Sequence, residues 1–324
     1  MPANLPPQYY AAEAVFRRAK TPEEKIAAIE DMIAIMPKHK GTDHLKAELR
    51  ARIAKLSEES GKRATLHRTT RTIPREGAGQ IALVGPTNSG KSQLVARVTN
   101  ADVVVGDYAF TTRTATPGMM EFEDIKIQLI DMPAMAPQIT ESWVSSALKR
   151  ADALLVVLDL SAGPVDQLDS VIDQLAKMRL GVTGMTPETT DILYWKPAVV
   201  AGNKADVPGA IEECESVRQR LGGKADITPI SALTGTGIEA LKRRLFDVLE
   251  VIRVYTKAPG EKGDTGDPLV LDVGSTVEDA ARGLHKDFVA KLKYARVWGS
   301  GKHDGMMVRR NHVLQDKDVI ELHV

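Results

Sequence analysis

Gly85, Pro86, Thr87, Asn88, Ser89, Gly90, Lys91 and Ser92 run in the order of a phosphate-binding loop, between the apolar stretch Ile81–Val84 and a helical pattern that starts near residue 91. Holding a polyphosphate needs that order. Glycines let backbone N–H groups turn inward around anionic oxygens, the Lys91 ammonium reaches the β- and γ-phosphates, and the Ser92 hydroxyl is placed to ligate Mg²⁺. Further on, Asp131, Met132, Pro133 and Ala134 close the apolar run Ile125–Ile130. An acid there can hold Mg²⁺ through water.

Two later loops choose the base. Asn203, Lys204, Ala205 and Asp206 follow the buried-strand pattern Pro197–Gly202. A carboxylate at the fourth place accepts from guanine N1–H and N2–H₂, while the asparagine amide meets N7 and O6. Adenine presents no matching donor pair, so the loop selects GTP over ATP. Ser231, Ala232 and Leu233 come after the next strand and can offer backbone N–H to guanine O6. That triplet means little alone; its place in the series gives it weight.

These loops need a frame to converge. Strands are predicted at Ile81–Val84, Met119–Phe122, Ile125–Ile130, Ala153–Leu158, Ala198–Ala201 and Ile227–Ile230, with helices near 91–99, 141–149, 165–179, 210–221 and 237–250. Such alternation predicts an α/β domain with a doubly wound, mainly parallel sheet, whose ligand sits beyond the carboxyl ends of the strands. Its limits are 76–251.

Residues 1–75 read as a helical hairpin followed by a basic linker. Thr21, Pro22 and Glu24 form a helix start, with Ile26, Ile29, Ile33 and Met36 on one face. Leu45, Leu49, Ile53 and Leu56 form a second stripe, from a cap near Thr42 or Asp43 to Gly61. The stretch 61–79 holds five basic residues and one acid without apolar periodicity. After Tyr255 a Gly- and Pro-rich break leads to strand Leu269–Val273, a helix capped by Ser275 and Glu278, and strands Ala295–Trp298 and Val319–Val324. That helix is expected to turn Val277, Ala281, Leu284, Phe288 and Leu292 inward. This α+β pattern makes a third domain, 252–324.

The 324 residues carry 43 basic and 43 acidic side chains, so the formal net charge is zero. Neutrality excludes a uniformly basic nucleic-acid coat, but the zero is a cancellation. Residues 1–75 hold 15 basic against 9 acidic, 76–251 hold 16 against 23, and 252–324 hold 12 against 11. A basic N-terminal arm can grip RNA or dock on the acidic core. Cys214, alone among acids, excludes an intrachain disulfide and is read as unreactive. His39, His44 and His67 lack metal-ligand spacing. No apolar run is long enough for a membrane span, and the first residues lack a signal peptide's pattern; a cytoplasmic protein is expected. Tyr294 and Trp298 can stack on RNA bases, but core packing is the preferred reading.

In order, G-x₄-GKS, D-x-P-x, NKxD and SAx resemble a translation-factor-class GTPase. Asp107 through Gly118, with Tyr108, Phe110, Thr111 and Thr112, is similar to the YxFTT…PG switch of the Obg and developmentally regulated GTP-binding family. The run from Ile252 to Ile320 resembles that family's TGS domain, a β-grasp fold, and Lys38 to Leu45 looks like its N-terminal hairpin. The resemblance implies that Thr112 (in preference to Thr111) joins Ser92 and Asp131 around Mg²⁺, and that Phe110 packs near the nucleotide. It implies GTP and GDP as ligands, slow hydrolysis aided by Lys91, Thr112 and Asn88, and a ribosome, RNA or translation-factor partner, with no membrane. Asn88 stands where related GTPases bind K⁺; it either does so here or only shapes the loop. Three departures stand out. Ala134 replaces the usual glycine, Met135 occupies the place of the water-orienting glutamine of Ras-like enzymes, and the stretch from Asp159 to Asn203 lacks an insertion found in relatives. A GTP-gated scaffold with negligible turnover is the alternative reading.

Overall fold

The computed structural model describes residues 6–19, 22–36, 40–61, 73–99, 116–135, 142–186, 191–258, 266–300 and 303–323. The chain divides into two compact units, residues 1–72 and 73–324.

The first unit holds α1 (Pro7–Arg18), α2 (Pro22–Ile35) and α3 (Lys40–Gly61). The expected hairpin is therefore a three-helix cluster. Pro7 suits a first helical position, and Tyr9, Ala12 and Phe16 put an apolar stripe on α1 that joins Ile29, Met32, Met36 and Leu49. The predicted second stripe of Leu45, Leu49, Ile53 and Leu56 packs into the same cluster. None of these helices buries enough alone, so their association supplies the stability. Because α3 begins at Lys40, Thr42 and Asp43 lie in its first turn and are not its cap. Thr21 lies outside the described residues.

The second unit opens with β1 (Gln80–Val84), α4 (Lys91–Val98), β2 (Thr116–Phe122), β3 (Ile125–Asp131), α5 (Ser142–Arg150), β4 (Ala153–Asp159) and α6 (Pro164–Lys177). It continues with β5 (Leu180–Val182), β6 (Tyr194–Lys196), β7 (Ala198–Asn203), α7 (Ala210–Leu221), β8 (Ile227–Pro229) and α8 (Ile238–Asp247). Six strands form one sheet in the order β2-β3-β1-β4-β7-β8. Every pair is parallel except β2 with β3. Both faces are covered, which is why the strands read as continuous apolar runs. Ala82, Val84, Leu154, Val156 and Leu158 face α5, α6 and α7; Ile81, Leu83, Leu155 and Val157 face α4 and α8. Each of the valine, leucine and isoleucine side chains among these contributes about 1.5–3 kcal/mol on burial. Strands β5 and β6 form a small parallel pair of their own that the sequence pattern did not predict.

The C-terminal part is β9 (Val251–Lys257), β10 (Leu269–Asp272), α9 (Val277–Leu284), α10 (Lys286–Lys291), β11 (Tyr294–Trp298), β12 (Met306–Val308) and β13 (Asp318–His323). Its sheet runs β10-β9-β13-β11-β12 with β13 parallel to β9, the mixed order of a β-grasp fold. Strands β9 and β12 are additions to the sequence reading, and the expected cap moves by one residue. Thr276 caps α9, accepting from the Asp279 backbone N–H while Asp279 answers to the Thr276 N–H. This register buries Val277, Ala280 and Ala281. The expected single helix breaks at His285, whose extended backbone starts α10, so Leu284 and Phe288 are exposed instead of inward. Tyr294 and Trp298 are corrected too: Ala295 and Val297 face the core, and the two aromatics lie half-buried on the opposite face. There Tyr294 stacks on His323 at 4.3 Å, and the Lys257 ammonium lies 3.6 Å from the centre of the Trp298 ring.

Candidate functional site

Five strand ends meet at one edge of the large sheet. Register decides which loops touch: Leu83 pairs with Asp131, and Asp159 pairs with Asn203. Together with the chain leaving β8, these place the four sequence motifs side by side.

The loop from Gly85 to Gly90 joins β1 to α4. Gly90 has φ of 90°, and a Cβ there would lie 2.2 Å from Asn203 Nδ2, so only glycine fits. Asn88, exposed, adopts a left-handed φ of 61°, a conformation that asparagine tolerates better than most residues. Thr87 is exposed and Pro86 half-buried. Ser89 Oγ donates to Pro86 O at 3.1 Å. The Lys91 ammonium is buried and donates to Gly85 O at 3.1 Å and Pro86 O at 2.7 Å, so it sits inside the curl of its own loop. Burial lowers its pKa, partly offset by the charge of Asp131.

Ser92 Oγ donates to Asp131 Oδ2 at 2.5 Å. Asp131 Oδ1 is buried with no hydrogen-bond partner among the described residues. Burial raises the pKa of this carboxyl, and the Ser92 hydrogen bond and Lys91 only partly counter that. A buried carboxylate oxygen with nothing to bind, beside a serine hydroxyl, is the hard oxygen donor set that suits Mg²⁺. Next to it, Met132 and Met135 are buried in the core, while Pro133 and Ala134 are half-buried. The Met135 N–H donates to Gly85 O at 3.0 Å, tying this segment to the phosphate loop.

Asn203 was expected to present its amide to guanine. In the structure its side chain is also a strut: Nδ2 donates to Ser89 O at 2.9 Å, and Oδ1 accepts from the Ala232 N–H at 3.0 Å. It thus braces the phosphate loop against the Ser231–Leu233 loop, and only 1% of it is exposed. Ser231 is buried, its Oγ accepting from the Thr234 N–H at 3.0 Å, whereas Leu233 is exposed. Asp206 is exposed and, among the described residues, has no ion-pair partner. Lys204, at a left-handed φ of 66°, donates to Asp159 Oδ2 at 2.5 Å. Sequence reading passed over Asp159. The signal that singled out Asp131, an acid ending a buried strand at the ligand edge, applies to it equally. Phe110, Thr111 and Thr112 lie outside the described residues. Cys214 is buried, and burial raises its pKa.

Comparison with known proteins fits this geometry. A family model described as "50S ribosome-binding GTPase" matches residues 80–184, and the TGS domain model matches 252–324. An uncharacterised GTP-binding protein of Methanocaldococcus jannaschii is 31% identical over 93% of this chain and 92% of its own. The Dictyostelium discoideum homologue of developmentally-regulated GTP-binding protein 2 is 27% identical over 92% and 98%. Among solved structures, the Schizosaccharomyces pombe YchF GTPase aligns with a TM-score of 0.54 at 11% identity, covering 77% of this chain and 99% of that one, a likeness of fold. The alignment with the M. jannaschii protein spans 361 positions, more than the 324 residues present, so that relative carries segments this chain lacks. With the phosphate loop, the strand-end acid and the Asn203–Asp206 and Ser231–Leu233 loops converging on one sheet edge, the chain belongs to the Obg and developmentally regulated GTP-binding family of P-loop GTPases with a C-terminal TGS domain.

Proposed function

We propose that this GTPase is a slow molecular switch: it hydrolyses GTP to GDP and phosphate, and the change of nucleotide alters its grip on a ribosomal or translation-associated partner in the cytoplasm. The contact that carries the reading is Ser92 Oγ to Asp131 Oδ2, with the second carboxylate oxygen buried beside it and unpartnered. Ser92, Asp131 and, by resemblance, Thr112 would hold Mg²⁺. When bound, the ion supplies neutralising charge at the β- and γ-phosphates. Lys91 adds its ammonium to the same oxygens, and the Gly85–Gly90 backbone orients them for in-line attack by water. Asp206 reads the guanine edge, while Asn203 keeps the phosphate and base loops in register.

One observation supports a low rate. Met135 is packed in the core and its N–H is held by Gly85, so residue 135 offers no group to orient water. That same observation favours a second reading, a GTP-gated scaffold for RNA or protein with negligible turnover. Asn88 needs no ion to account for its presence, since its left-handed φ explains an asparagine; equal hydrolysis rates in K⁺ and Na⁺ would remove potassium from the mechanism. Single-turnover phosphate release, with and without ribosomes, separates switch from scaffold. Release no faster than in Lys91→Ala leaves the scaffold. Failure to co-sediment with ribosomes in any nucleotide state sinks the translation partner.

A further inference from the structure

We propose that Asp159 is a positioning residue for guanine recognition, acting by holding the Lys204 cation away from Asp206. The inference rests on reading the Asn203–Asp206 loop as the guanine site and adds a residue to it.

Asp159 ends β4 directly opposite Asn203 on β7, so its carboxylate lies at the root of that loop. It is only 8% exposed, and both of its carboxylate oxygens are engaged. Oδ1 takes the Ser161 N–H at 2.9 Å and the Ser161 hydroxyl at 2.6 Å; Oδ2 takes the Lys204 ammonium at 2.5 Å. The backbone is fixed as firmly. Gln167, from the first turns of α6, accepts from the Asp159 N–H at 2.9 Å and donates to Asp159 O at 2.9 Å and Ala162 O at 2.8 Å. A carboxylate held on all sides can serve as a fixed anchor for a flexible partner.

Lys204 is that partner. Two residues beyond it stands Asp206, exposed and without an ion-pair partner among the described residues. A free ammonium on a four-carbon stem next to an exposed carboxylate will pair with it. Such a pair would occupy the acceptor oxygens that guanine N1–H and N2–H₂ require. Asp159 prevents this by offering the ammonium a more buried and preorganised site. The tether also fixes the Lys204 stem before the base arrives, so less side-chain freedom is lost on binding.

The test uses full-length protein and measures affinity for GDP, for inosine diphosphate (which lacks the 2-amino group) and for ADP. Asp159→Asn is expected to weaken GDP binding roughly tenfold, and to shrink the preference for GDP over inosine diphosphate by roughly fivefold, the range over which contacting groups couple. In a Lys204→Met background, which keeps the stem and removes the charge, adding Asp159→Asn should leave that preference unchanged. Rescue of this kind is not expected of a carboxylate that merely supports the fold, and melting temperatures of all variants monitor folding separately. Equal loss in both backgrounds, or a uniform loss with the preference intact, overturns the assignment. Wild-type protein that binds ADP as well as GDP overturns the reading of the loop itself, a different outcome.

Discussion

Arg253 on β9 donates from Nη1 to Asp124 Oδ1 at 2.9 Å, joining the C-terminal sheet to the tip of the β2–β3 hairpin 129 residues earlier in the chain. The same nitrogen reaches Glu123 Oε2 at 2.5 Å, and Nε and Nη2 grip Asp316 at 3.0 and 2.7 Å. The guanidinium is wholly buried and lies over the Phe246 ring at 4.9 Å. One cation therefore answers three carboxylates, two from the β2–β3 hairpin and one from the C-terminal part, and its five donors in a planar fork suit that task better than an ammonium.

Arg253→Met keeps much of the volume and leaves Glu123, Asp124 and Asp316 crowded together. A loss of about 3 kcal/mol is expected, the lower end for breaking a buried pair, because the carboxylates are themselves partly exposed. The pH profile should change in kind. In the wild type, burial raises the Asp124 and Asp316 carboxyls, but their hydrogen bonds, those from Arg253 included, leave both depressed. The stability they contribute is present above about pH 4 and is lost as pH falls through the depressed folded values. Without Arg253, protonation relieves repulsion instead. Urea denaturation between pH 3 and 6 should show the variant's deficit narrowing as pH drops; a constant deficit would contradict the network.

The Tyr255 hydroxyl donates a hydrogen bond to Oδ2 of the same Asp124. Burial and that bond push its pKa up to about 12, from an ordinary value of about 10. With the folded value raised, its contribution is whole below pH 10 and fades as pH rises toward 12. Tyr255→Phe should cost about 1 kcal/mol near neutrality. The gap between variant and wild type should close in the alkaline limb, read by denaturation alongside tyrosinate absorbance.

Much of the nucleotide edge was legible because its signals are local: an apolar run, then a loop of fixed spacing. Long-range choices were not. Arg253 in a strand reads as a solvent-facing charge until its partners arrive from the hairpin tip. Ser275 with Glu278 and Thr276 with Asp279 have the same capping spacing, and only burial of Val277, Ala280 and Ala281 decides between them. Strands β5 and β6 are three residues each, too short for a period to show. Helix α1 did carry a signal, Tyr9, Ala12 and Phe16 after Pro7, which the two-helix reading missed.

Asp131→Asn should separate stability from function. The carboxyl's raised pKa means that its ionised form is disfavoured in the fold, so at pH 7 it opposes folding and this opposition disappears under acid. Removing the charge should stabilise nucleotide-free protein by on the order of 1 kcal/mol. Retention of GDP should meanwhile become nearly insensitive to chelation of Mg²⁺. A destabilised variant that still responds to chelator would count against Asp131 as a metal-site residue.

Met135 invites a test by introducing the glutamine that Ras-like enzymes use to orient water, and here the intuitive outcome is not expected. Its side chain is buried with Val84, Met132, Val144 and Leu148, and its N–H is fixed on Gly85 O. Met135→Gln would bury an amide among apolar groups, costing about 2 kcal/mol, without bringing it to the phosphates. Hydrolysis in a single turnover should stay at the wild-type rate. Ala134→Gly acts on the backbone instead. The alanine keeps its N–H but narrows the conformations through which that N–H can swing toward a γ-phosphate, and glycine widens them. The variant is expected to hydrolyse GTP several-fold faster at unchanged GDP affinity. If Met135→Gln proves the faster of the two, the segment must leave the core during turnover, and the anchoring of Met135 does not limit the rate.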